Sequence, residues 1–385
     1  MNNKLSKIKS ITVFIAGVSA ASMPAIATAD WSFAGLGTLG GIKDIPFSIA
    51  SDINDSGRVT GTSLVGAEYH AFITGPNGVG MTDLGTLDGT FTWGMGINDS
   101  GQVAGFANSG HAFITGPNGV GITDLGSGGR YSVEVTHGSI NDSGQMAGYD
   151  ANNGHAFITG PNGVGRADLG TLGGRYSVAS GINNSGQVAG YSQMPDSNYH
   201  AFIYHAFITG PNGVGMTDLG IGETYSEALG INDSGQVVGT FKMPGDSKYH
   251  AFVTGYNGVG VTDLGALGGN TEALGINDFG QVVGYSDNGR TFIYSDGGMS
   301  ELSWLPIVVA AGWTNLIPRA INNNGQIVGW GTHGGHNEAF LLSFSPDTVF
   351  PFITTPPPLV PEPETYAMLL AGLGLLGFVA RRRKV

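Results

Sequence analysis

The chain contains no cysteine. That excludes disulfides, thiolate metal sites and a cysteine nucleophile, and it is compatible with an oxidising compartment. Charge is also scarce, at 12% of residues, and the basic sign is the scarcer. Lys4, Lys7 and Lys9 stand in the first segment, and Arg381, Arg382, Arg383 and Lys384 in the last. Between Asp30 and Val360 there remain nine basic residues against 27 acidic ones, a net of −18. Such a surface repels phosphate backbones, which excludes nucleic acid as a partner. Between the two ends no stretch keeps a helical hydrophobic period over about ten residues.

Glycine is in excess, 67 of 385 residues, against a usual share of about 7%. No G-X-Y period accompanies it and 41% of residues are apolar, so neither collagen nor a disordered low-complexity chain fits. Many glycines among many short apolar runs imply short strands joined by tight turns.

The ends read as addresses. Three lysines, an apolar run from Ile11 to Ala21, and Ala27-Thr28-Ala29 before Asp30 have the layout of a secretory signal peptide, with cleavage expected after Ala29. At the other end Thr355-Pro356-Pro357-Pro358-Leu359-Val360 is a stiff linker. Pro361-Glu362-Pro363 follows, then an apolar run from Tyr366 to Ala380, then Arg381-Arg382-Arg383-Lys384. As a helix the 15-residue run would be ~22 Å long, short of a ~30 Å hydrocarbon core, and the basic cluster marks a cytoplasmic end. In order and composition this tail resembles the PEP-CTERM sorting signal of Gram-negative bacteria. The resemblance implies processing by a membrane-embedded exosortase near Pro361, Glu362 and Pro363, transient residence of the C-terminal helix in the inner membrane, and a destination outside it. The expected division is a signal peptide over 1–29, a repeat body over 30–346, a linker over 347–360 and the sorting tail over 361–385.

The body repeats one phrase. I-N-x-x-G begins at Ile53, Ile97, Ile140, Ile182, Ile231, Ile276 and Ile321, with spacings of 44, 43, 42, 49, 45 and 45. A period in the forties belongs to solenoids and propellers. Each unit holds four strand-length segments, as in Ala228–Ile231, Gln236–Gly239, His250–Thr254 and Val261–Gly265. Asn-Asp-Ser-Gly between the first two fits a type I turn closed by a left-handed glycine, and Gly-Pro-Asn-Gly between the last two is a second tight turn. Three hairpin links and a longer crossover describe a four-stranded propeller blade. The mature chain opens with a lone fourth segment (Phe33 to Gly41) and closes with a third that has no fourth after it (Glu338 to Leu342). We therefore expect an all-β, seven-bladed propeller clasped by its N-terminal strand. An open β-solenoid, the alternative, would need no such matched ends.

The unit also resembles the HAF repeat of extracellular bacterial proteins, on the His-Ala-Phe at His70, His111, His155, His200, His205 and His250. The last two units depart from it, with Thr291-Phe292 and Glu338-Ala339-Phe340 in its place. The resemblance implies an extracellular location and no defined chemistry.

Few residues look chemical. Histidines at equivalent positions of different blades stand too far apart to share one ion at ~2 Å, so a strand-start role is expected and no metal or cofactor. Asp83, Asp124, Asp168, Asp218 and Asp263 of the Asp-Leu-Gly recur in the same way and suggest a strand-edge hydrogen bond. The Asn-Asp-Ser turns match a glycosylation sequon but are explained as turns, and they lack the calcium-loop spacing. Gly78-Val79-Gly80 precedes a strand, so it has no helix N-terminus for a phosphate. Breaks in the repeat are the better guide to function. Trp304, Trp313 and Trp330 cluster late with His333 and His336, either as core or as platforms for sugar rings; Arg130, Glu134 and His137 break the third unit without a nucleophile–base pair. The function expected is an exported, non-enzymatic structural or adhesive propeller; the alternative is an exopolysaccharide-binding one that uses the late tryptophans. A hydrolase or lyase would need paired carboxylates set apart from the repeat. Finally, Tyr199-His200-Ala201-Phe202-Ile203 duplicates Tyr204-His205-Ala206-Phe207-Ile208. Removing five residues turns the spacing of 49 into 44, so the second copy, His205 to Thr209, is the expected blade strand and the first a tolerated insertion.

Overall fold

The computed structural model describes residues 31–344 apart from 42–45, 88, 90, 108–109, 127–132, 196–202 and 223; for 133–138 it describes the backbone only. Its 28 strands form seven four-stranded antiparallel sheets in a ring. Blade V shows the plan. The inner strand Ser226–Ile231 pairs with Val237–Lys242, then Tyr249–Thr254, then the outer strand Val261–Gly265. The seventh sheet is composite. Thr314–Ile321, Ile327–His333 and His336–Ser343 are completed by the N-terminal strand Ser32–Gly37, with Ser32 opposite Ser343 and Phe33 opposite Leu342. The ring is clasped as the matched ends predict, and the open solenoid is set aside.

Both turns of the repeat lie on one face. Gly57 N donates to Asn54 O (2.9 Å) and Asn54 Oδ1 accepts from Ser56 Oγ and Arg58 N, the bonds of an Asx-stabilised turn. In Pro76-Asn77-Gly78-Val79, Asn77 and Gly78 sit at φ 55° and 70° and Val79 N donates to Pro76 O, so the second turn is type I′. Asn-Gly is the pair that tolerates two positive φ values in succession. The two turns of a blade are also tied together, Gly78 N to Gly57 O at 2.9 Å.

The glycine ending Gln-Val-x-Gly has a steric cause. Each inner strand carries a β-bulge, between Ala179 and Gly181 in blade IV. Opposite it, a Cβ on Gly190 would run into the carbonyl oxygen of Val178. Gly61, Gly105, Gly239, Gly284 and Gly329 face equivalent carbonyls.

There is no single core. Seven apolar clusters lie between neighbouring blades, each built around the phenylalanine of a third strand: Phe72, Phe113, Phe157, Phe207, Phe252, Phe292 and Phe340 are at most 2% exposed. The cluster with Ala50, Val59, Phe72, Val328 and Leu341 joins blade I to blade VII, so closure is an apolar contact as well as a strand pairing. Two details depart from expectation. A short helix, Pro306–Ala310, occupies the crossover into blade VII, where the Asp-Leu-Gly of the repeat is replaced by Glu301-Leu302-Ser303 and Pro306 starts the turn. The inner strands also begin about two residues before the expected segment.

Candidate functional site

The recurring histidines and aspartates, read separately in the sequence, meet in the structure. His70 Nδ1 lies 2.9 Å from Asp83, and the same pair recurs at His111–Asp124, His155–Asp168, His205–Asp218 and His250–Asp263 at 2.8–3.0 Å. Asp83 Oδ1 also accepts from Gly85 N, so the pair latches the outer strand and its exit. In blade VI the same two places hold Arg290 and Glu301, again paired at 2.8 Å. Among the described residues no group of three or more His, Cys, Asp or Glu has the arrangement of a metal site.

The turns form two closed rings around the axis. Asn54 Nδ2 donates to Asn98 O, Asn98 to Asn141, and so on through Asn183, Asn232, Asn277 and Asn322, which returns to Asn54 O; the seven bonds measure 2.9–3.0 Å. One residue further, each backbone N–H donates to the side chain of the next blade, at 2.8–3.0 Å, through Asp55, Asp99, Asp142, Asn184, Asp233, Asp278 and Asn323. Asn184 Nδ2 bridges Asp142 and Asp233, and Asn323 Nδ2 bridges Asp278 and Asp55. Asp99 has carboxylates on both sides; burial pushes its pKa up, and Asp142 and Asp55 add to this. The seven isoleucines of the repeat line the channel just inside these rings. At that depth half-buried Asp52 accepts from Ile53 N and Ile97 N on its two oxygens, and desolvation of its carboxyl raises its pKa to about 7.

The opposite mouth of the channel widens into a basin of about 600 Å³. Its wall carries Tyr149, Tyr176, Tyr191 and Tyr204; its floor carries Glu227, Glu272 and Arg319, from the inner strands of blades V, VI and VII. Beside it Tyr191, Tyr204, Tyr225 and Tyr249 form an aromatic ladder with centroids 4.9–6.5 Å apart. Burial pushes the Glu227 carboxyl up, the Tyr225 hydroxyl that donates to it opposes this, and Glu272 adds to it. Glu272 is pushed up by burial too, opposed by the Tyr285 hydroxyl and by Arg319. The Arg319 guanidinium is held below its ordinary value by burial, against the pull of Tyr285 and Glu272. A concave basin with convergent polar groups and displaced pKa values is where a ligand site is expected.

The late tryptophans do not form one site. Trp313 is 5% exposed, stacked on His333 at 4.9 Å and edge-on to Phe33, so it has no free face for a sugar. Trp304 lies under the Arg290 guanidinium at 5.3 Å, and Trp330 is a half-buried residue of the second strand of blade VII, opposite Ile317. His336 faces His333 across the hairpin of the same blade. The paired carboxylates that the sequence did not reveal are Glu227 and Glu272. Their signal was the shared Glu-Ala-Leu-Gly-Ile, overlooked because it resembled the repeat itself. Arg130 and the side chains of Glu134 and His137 lie outside the described residues, as do Ala29, Pro361, Glu362, Pro363, Arg381, Arg382 and Arg383.

The geometry defines the class, a seven-bladed β-propeller, and the comparison agrees on a β-propeller. Similar solved structures are the propeller domain of the Trilobed protease from Pyrococcus furiosus, described as an open velcro topology (TM-score 0.53, 9% identity, covering 79% of this chain and 100% of that one), and YCF48 bound to D1 peptide (TM-score 0.51, 14% identity, 85% and 100%). Oligogalacturonate lyase from Vibrio parahaemolyticus is another (TM-score 0.50, 9% identity, 82% and 98%). At such identities the likeness is one of fold. No curated protein matches the sequence. Residues 359–384 match the PEP-CTERM protein-sorting motif, which marks the chain for export as a membrane-anchored precursor and for exosortase processing. Among the described residues no helix is long and apolar enough to cross a membrane.

Proposed function

We propose that the exported protein is a non-enzymatic adhesive propeller of the cell surface or extracellular matrix that holds a glycan in the tyrosine-walled basin. The basin carries this reading. Tyrosine faces stack on the apolar faces of sugar rings, and two carboxyls with a guanidinium supply hydroxyl-binding groups at the floor. Of the late tryptophans Trp313 is buried, while Trp304 and Trp330 are half-buried and stand apart from the basin.

A further feature supports it. The position of the ends supports display: Ser32 and Ser343 are opposite each other, and Gln326 Nε2 lies 3.5 Å from Ser343 Oγ, on the face of the Asn ring. Ser32 and Ser343 thus lie side by side on one face, and the basin opens on the other.

The test is a pull-down of extracellular polysaccharide by the exported protein and its Tyr191→Ala/Tyr204→Ala variant, with thermal melts of both. Retention by the wild type and loss in an equally stable variant is the expected result. Equal retention by both, or turnover of any glycan, would overturn the reading.

A further inference from the structure

Resting on the reading of the basin as a glycan site, we infer that its ligand is a cationic amino-sugar glycan, a saccharide bearing free amines, rather than a neutral or an acidic one. Charge is unbalanced inside the basin. Two carboxyls, Glu227 and Glu272, line the basin with one guanidinium, Arg319. The charges that act on Arg319 are those of Tyr285 and Glu272. Glu227, one blade further round, feels Glu272 as a repelling charge and has the Tyr225 hydroxyl as its hydrogen-bond partner. It is the unbalanced acid of the basin.

A ligand that covers this floor removes water from Glu227. Beneath a neutral sugar Glu227 could be covered only by taking up a proton, and a uronic acid would add a further acidic group beside it. An ammonium supplies the missing charge and up to three N–H donors. The walls favour the same chemistry, since they carry Tyr149, Tyr176, Tyr191 and Tyr204, and tyrosine rings attract both cations and the C–H face of a pyranose. On a hexosamine the amine and the apolar face belong to one ring, so a single residue satisfies floor and wall together.

The field of the whole molecule acts in the same direction. The net of −18 between Asp30 and Val360 draws polycations toward the surface and slows the approach of polyanions. Glu227 and Glu272 sit at the same place in adjacent inner strands, each opposite the second strand of its own blade (Glu227 to Thr240, Glu272 to Tyr285).

The experiment is isothermal titration of the exported protein with three probes: a β-1,4-linked glucosamine tetrasaccharide, its fully N-acetylated counterpart, and a galacturonic acid tetrasaccharide. We expect the free-amine probe to bind at least tenfold tighter than either of the others. Glu227→Gln, which keeps shape and removes charge, should abolish that preference without changing the thermal melt. Equal or tighter binding of the N-acetylated or acidic probe, lost in Tyr204→Ala, would overturn the amine inference and leave the basin standing as a glycan site. A free-amine preference that survives in a Glu227→Gln/Glu272→Gln variant would also overturn it. Failure of all three probes to bind would overturn it together with the glycan reading on which it rests.

Discussion

On the face that carries the Asn-Asp-Ser-Gly turns, all seven blades place the same residue type in the same bond, Asn54 through Asn322. On the opposite face the strand position at the channel mouth holds Ile49, Trp93, Glu134, Val178, Glu227, Glu272 and Ile317 in turn. The difference follows from what each face must do. A cyclic chain of hydrogen bonds is complete only if every blade contributes its link, so uniformity on the ring face is a condition of closure. The basin needs no such symmetry, and its polar groups come from consecutive blades that depart from the common pattern. What repeats builds the ring, and what varies can recognise a ligand.

The comparison can be broken hardest at the clasp. Deleting residues 30–37 removes the outer strand of blade VII together with Phe33, which packs on Trp313 and Phe340. The expected loss is comparable to a whole domain's stability, about 5 kcal/mol or more, and the thermal transition should lose its cooperativity. An unchanged melt would show that the ring does not depend on its clasp. Next in size is Asn183→Ala on the ring face. It removes bonds to Asn232 O and Gln187 Oε1 and the acceptor used by Ser185 and Gln187 N. Denaturant unfolding should report a loss of about 3 kcal/mol.

A pH experiment separates the channel from the faces. Burial raises the Asp52 pKa from 3.8 to about 7. Between those values the folded protein holds a proton that the unfolded chain has released, so this group's stabilisation declines as pH rises through the window and is gone above about 7. The wild type should therefore lose more melting temperature between pH 5 and pH 8 than Asp52→Asn does; the same slope in both would remove Asp52 as the cause. The smallest effect belongs to the duplicated segment. In the sequence 199–203 precede the third strand of blade IV, and 199–202 lie outside the described residues; Tyr204–Thr209 forms that strand in register with Gln193 to Ala189. Deleting them should change stability by no more than about 0.5 kcal/mol. A larger loss would mean that the first copy is part of the blade.

The period, the four strands per unit, the blade count, the clasp and the sorting tail were legible in the sequence because each rests on local chemistry: alternation, turn residues and matched ends. The choice of the second copy as the strand was legible for the same reason, since the Gly210-Pro211-Asn212-Gly213 turn fixes register from one side. The rings were not. Asn54 meets Asn98 across 44 residues of chain and Asn322 meets Asn54 across 268, and nothing in one unit says where its neighbour's carbonyl will stand. The His–Asp latch was half legible, as two recurrences whose partnership needs the third and fourth strands side by side. The basin was hidden for a different reason. Glu227 and Glu272 each look like the solvent-facing residue of an alternating strand, and only convergence on the axis turns them into a site.

One measurement bears most directly on the division between the faces: polysaccharide binding and thermal unfolding of a Tyr204→Ala/Glu227→Gln variant, read side by side with Asn183→Ala at a temperature where the latter is still folded. The account predicts that the basin variant loses binding at least tenfold while its melt stays near that of the wild type, and that Asn183→Ala melts earlier yet binds as before. Undiminished binding by the basin variant, or lost binding by folded Asn183→Ala, would contradict it.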